Sequence, residues 1–69
     1  MYHNLEAEMA RKQINVPDIA KAIGVNEKTV RNKISGKTKF IFDEALIIKD
    51  TFFPSLDLQY LFAKDEEVK

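Results

Sequence analysis

Apolar residues return every three or four positions through most of the chain, the spacing of helices that bury one face. Leu5 and Met9, four apart, mark a first helix that begins after Asn4 as its cap and runs to about residue 13. Ile19, Ala20 and Ile23 form the stripe of a second helix, and Val30 and Ile34 that of a third. A fourth covers 42–52. Leu58, Leu61 and Phe62 share one side of a short fifth over 57–63. Nothing in the pattern predicts a strand, a repeat or a linker.

Polar punctuation sharpens the middle of this series. Asn15 can cap the second helix, Asp18 falls at its third position, and Pro17 lies in the first turn, where a missing N–H costs little. Ile14 and Ile19 have the spacing of a hydrophobic staple, and Gly24 ends the stripe. The grammar then repeats: Asn26 caps, Val25 and Val30 form the second staple, and Gly36 supplies a left-handed stop. Only Gly24 and Val25 separate the second helix from the next cap. So tight a joint makes the two helices cross, which is helix-turn-helix geometry.

On the fourth helix Asp43 and Glu44 suit the positive end of the dipole, and Pro54 prevents continuation. Phe42, Ala45 and Phe52 are placed inward there and Ile47 outward, although Lys49 falls within the apolar stripe. Tyr60 points away from its apolar neighbours. Ile47 and Tyr60 are therefore either ordinary exposed residues or a contact with a second copy. The five phenylalanines read mainly as core.

Sixty-nine residues, 45% of them hydrophobic, make one small folded domain, here with its core in 4–63 and a flexible acidic tail over 64–69. Without cysteine there is no disulfide or thiolate metal site, and the single His3 excludes a histidine cluster. No paired acid and base, phosphate loop or metal set is present, so neither an enzyme nor a cofactor nor a small-molecule substrate is expected. No signal or membrane segment is read, which leaves a cytoplasmic protein.

Net charge is zero, but its distribution is uneven. Residues 11–39 hold eight bases against two acids, an excess of six positive charges; the remainder holds three bases against nine acids. A basic centre between acidic ends fits a face that meets a polyanion. On a wheel of about 100° per residue, Val30 and Ile34 define the inner side of the third helix. Lys28 and Asn32 point the opposite way, flanked by Thr29, Arg31 and Ser35. In a major groove Lys can donate to guanine and Asn can pair with adenine. Glu27 can accept from cytosine or simply sit well at the helix start, and Arg31, four residues later, can pair with it.

The stretch "IAKAIGVNEKTVRNKISGK" resembles the helix-turn-helix of phage lambda-repressor and Cro-like transcriptional regulators, the xenobiotic-response-element family. "FDEAL" and "LDLQYLF" resemble that family's fourth and fifth helices, so the likeness covers about residues 4–63. It implies an all-α, five-helix domain that binds double-stranded operator DNA, generally as a homodimer, in a bacterial cell. The structural positions would be Ile19, Ala20, Ile23, Gly24, Val25, Val30 and Gly36. The base-reading positions would be Glu27, Lys28 and Asn32, with Arg31 beside them. Lys37, Thr38 and Lys39, just past the helix, suit phosphates, together with Asn15, Thr29 and Ser35.

Three departures stand out. Val16 replaces a phosphate-contacting Gln at the start of the second helix; Lys33 stands where an apolar residue is common; and Ile41 replaces the Ser or Thr cap of the fourth helix. A contrasting reading is a helical module that binds protein and not DNA, as an anti-repressor or antitoxin component would. Zero net charge and Val16 favour it, and the basic cluster after Val25 opposes it.

Overall fold

The structure is a computed structural model and describes residues 2–64. Among these residues there are five α-helices and no strand: α1 (His3–Lys12), α2 (Val16–Ile23), α3 (Glu27–Ser35), α4 (Phe42–Phe52) and α5 (Leu58–Leu61). The acidic tail, apart from Lys64, lies outside the described residues.

Short-range chemistry sets the first three helices end to end. Asn15 Oδ1 accepts from the Asp18 N–H at 3.3 Å while Asp18 Oδ2 accepts from the Asn15 N–H at 3.0 Å, a complete capping box. Asn26 Oδ1 accepts from the Thr29 N–H at 2.8 Å. Each of α1, α2 and α3 stops on a left-handed residue, Gln13 (φ 59°), Gly24 (φ 75°) and Gly36 (φ 95°). The N–H one residue further on then reaches back to close the last turn: Ile14 to Met9 O (2.8 Å), Val25 to Ala20 O (3.1 Å) and Lys37 to Asn32 O (2.9 Å). Ile14 and Val25 therefore each do two jobs, closing one helix and preceding the cap of the next.

α2 packs on both α3 and α4, and α5 packs on α1 and α4. Leu5, Ile19, Val30, Ile48, Phe53 and Leu61 are fully enclosed at the centre, with Met9, Ala20 and Ile34 around them. Tyr2 is buried as well, so the core begins earlier than residue 4. Its ring meets Phe40 and Phe62 edge-on, with centroids 5.4 and 5.9 Å away, and those two rings meet each other at 5.2 Å.

Four local expectations need correction. Asn4 does not cap α1: it lies inside the helix, and its Nδ2 donates to Tyr60 O at 2.9 Å, tying α1 to α5. Gln13 is the stop and not the last helical residue. α5 is shorter than 57–63, because Asp57 caps it by accepting from the Tyr60 N–H at 3.1 Å and Phe62 already leaves helical geometry. Phe42 does not face inward. It is 66% exposed, and the buried side of α4 is set by Ala45 and Ile48. Lys49, which broke the apolar stripe, turns its Nζ to Pro54 O at 3.0 Å, and Lys12 Nζ reaches Phe52 O at 3.2 Å. Both ammonium groups thus sit where the negative end of α4 needs them.

Candidate nucleic-acid interface

α3 is the element on which the basic side chains converge. Val30 and Ile34 are buried, which fixes the helix rotation and turns Lys28 and Arg31 to solvent, with Asn32 half-buried beside them. Glu27 and Arg31 are both exposed and pair across one turn, Oε1 to guanidinium at 3.4 Å. A pair this open is held weakly and can exchange for other partners. Thr29 is half-buried, with its N–H used by the Asn26 cap.

The turn after α3 is exposed at Lys37, Thr38 and Lys39, yet its backbone is held. Asn32 O accepts from Ser35 Oγ (3.1 Å), Lys37 N–H (2.9 Å) and Thr38 N–H (3.3 Å). Ser35 thus spends its hydroxyl hydrogen on its own helix. Asn15 likewise uses its carbonyl oxygen as the α2 cap. Val16, the first residue of α2, is half-buried and packs against the core. It also lines a shallow apolar hollow of about 340 Å³ with Glu6, Met9, Ala10, Ile14, Asn15 and Ile34.

Among the helix-pair residues, Ile19, Ala20 and Val30 are buried, Ile23 and Val25 are half-buried against the core, and Gly24 and Gly36 take positive φ at the two stops. Ile47 is exposed. Tyr60 is 40% exposed, but its hydroxyl is committed within the chain, donating to Glu8 Oε2 at 2.8 Å.

The local positive charge is smaller at the surface than along the chain. Lys33 is buried, and its Nζ lies 3.0 Å from Glu44 Oε1; Arg11 Nε lies 3.1 Å from Oε1 of the buried Glu8. Two of the six excess charges are therefore answered by acids from outside the basic stretch. The outward-facing lysines of the stretch that remain around α3 are Lys21, Lys28, Lys37 and Lys39.

Two groups escaped sequence reading. Lys33 gave a signal, a charge where the resembled family commonly has an apolar residue, but its partner lies eleven residues on. Glu8 gave none, because an acid in an exposed-looking turn of α1 is ordinary. Compared with family models, with curated proteins and with solved structures, the chain shows no match.

Proposed function

We propose that the chain is a sequence-specific DNA-binding transcriptional regulator of the phage repressor and Cro-like type. In this reading α2 and α3 are its helix-turn-helix, and α3 enters the major groove of an operator. Lys28, Arg31 and Asn32, with Glu27, read base edges; Lys37, Thr38 and Lys39 hold phosphates. One small domain covers about half of an operator. Two copies on half-sites one helical turn apart would supply specific affinity, inside a bacterial cell at the nucleoid.

What carries the reading is the pairing of an outward face with an ordered basic turn. Lys28 and Arg31 are exposed on the side of α3 away from Val30 and Ile34, and Lys37 and Lys39 are exposed immediately beyond it. The likeness of residues 19–37 to the family's motif points the same way.

A second reading, a protein-binding helical module, draws support from α4. Ile41, at its cap, and Phe42, Leu46 and Ile47 within it are all exposed large apolar residues. The same residues could equally serve contact between two copies of a regulator.

The two readings part on salt. Binding of random duplex DNA, followed by gel shift at several salt concentrations, should show affinity falling steeply as salt rises. Lys37→Ala and Lys39→Ala should each weaken binding to every sequence alike. Each should lower the slope of log affinity against log salt by about one unit, since each ammonium displaces about one condensed counterion. No binding at low salt would discard this function in favour of the protein-binding module.

A further inference from the structure

We infer that Lys33 is a positioning residue for the phosphate-contacting turn: its buried ammonium fixes where Lys37 and Lys39 are presented, without touching DNA itself. The inference rests on the DNA-binding reading above. Lys33 is 9% exposed, so its charge is withdrawn from any groove. Its Nζ instead donates to Lys39 O at 3.0 Å, pairs with Glu44 Oε1 at 3.0 Å, and stands 6.0 Å above the centre of the Phe40 ring. The same Glu44 oxygen accepts the Ile41 N–H at 3.2 Å. One ammonium thus joins the last turn of α3, the carbonyl that closes the basic turn, and the first turn of α4.

Stability alone does not account for a lysine here. Drawing an ammonium and a carboxylate out of water is costly, and well-packed apolar residues in their place are often neutral or better. What an apolar side chain cannot supply is direction. A methionine at 33 could fill the space, but it could not hold the Lys39 carbonyl, and the turn would keep only its bonds to Asn32. Isoleucine at 41 has no side-chain acceptor for the Glu44 N–H, so the start of α4 keeps only the other half of a capping box, the bond from the Ile41 N–H to Glu44. Glu44 supplies the local acceptor, and Lys33 anchors Glu44.

The test uses the double variant Lys33→Met/Glu44→Gln, which removes both charges together and keeps an oxygen for the Ile41 N–H. It should fold, with a melting temperature near that of the wild type. Its affinity for random duplex DNA at low salt should nevertheless fall roughly tenfold or more, with the salt slope reduced by up to about two. In a Lys37→Ala/Lys39→Ala background the same pair of changes should have little further effect, because the lysines through which Lys33 acts are gone. Equal losses in both backgrounds would overturn the inference. A second measurement stands apart from DNA. Hydrogen exchange at the Lys37 and Thr38 amides of the free protein should quicken in the double variant, while Val30 and Ile34 stay protected. Unchanged protection in the turn would overturn the clamp, whereas absence of DNA binding by the wild type with quickened exchange would overturn only the DNA reading.

Discussion

Two of the three helix stops in the first half of the chain are glycines; the third is a glutamine. All three take positive φ, where a side chain pushes Cβ towards the following carbonyl. Gln13 at φ 59° therefore carries a cost that Gly24 and Gly36 do not. Gln13→Gly should stabilise the domain by about 1 kcal/mol, read as a higher denaturation midpoint with an unchanged dependence on denaturant. Gly24→Ala should cost about 1 kcal/mol in the opposite sense. A methyl there would meet no atom within 4 Å, so only the backbone cost is measured. If Gln13→Gly lowered the midpoint, the left-handed stop at that residue would not be the conformation in solution.

At the scale of elements, the joint between α2 and α3 decides how the outward face of α3 sits. Ala20 is buried, and its carbonyl accepts both the Gly24 and Val25 N–H groups, so the last turn of α2 is held tight against the crossing. Ala20→Leu forces extra methylenes into that space and should destabilise the domain by roughly 1–3 kcal/mol. Thermal unfolding checks it, and a melting temperature equal to the wild type would mean that the helices do not approach closely at this residue.

The elements themselves were legible because their signals are local. Asn15, Asn26, Gly24 and Gly36 act on backbone groups within four residues, and a linear reading sees them. The rotation of α4 was less legible. Phe42 and Ala45 stand about 60° apart on the wheel, and apolarity alone cannot say which of them marks the centre of the buried side. Packing against α2 and α5 decides for Ala45 and Ile48 and leaves Phe42 outside. On the candidate site, the exposure of Lys28 and Arg31 followed from the burial of Val30 and Ile34, and the basic turn from the stop at Gly36. The pairing of Lys33 with Glu44 did not, because it depends on how the turn between them folds back.

Across the whole molecule, one acid ties α1 to α5 beside the Asn4 bond to Tyr60 O. Glu8 is buried, accepts from Tyr60 Oη on one oxygen and pairs with Arg11 on the other. The bond to Glu8, followed by desolvation and the Glu8 charge, raises the Tyr60 hydroxyl above the ordinary tyrosine value of 10.0. A group whose folded value is raised contributes its stability in full below the unfolded value, and loses it as pH climbs through the folded one. Wild-type stability should therefore drop more steeply than that of Tyr60→Phe above about pH 10, with the two curves converging. Parallel curves through the alkaline range, followed by thermal unfolding, would mean that the Tyr60–Glu8 bond is not made in solution.

The doubled duty of Ile14 and Val25 also bears on how this chain can change length. Between α1 and α2, and again between α2 and α3, three residues suffice: one turns left, one is partly buried, one caps. None is spare. A residue inserted at Gly24–Asn26 would either break the cap or rotate α3 by about 100°, carrying Lys28 and Asn32 off the face they now share. Descendants of this sequence can exchange letters at those joints far more readily than they can gain or lose one. Between α4 and α5 the exposed Pro54 and Ser55 leave more room for such a change, although Phe53 is buried and Leu56 half-buried on either side of them.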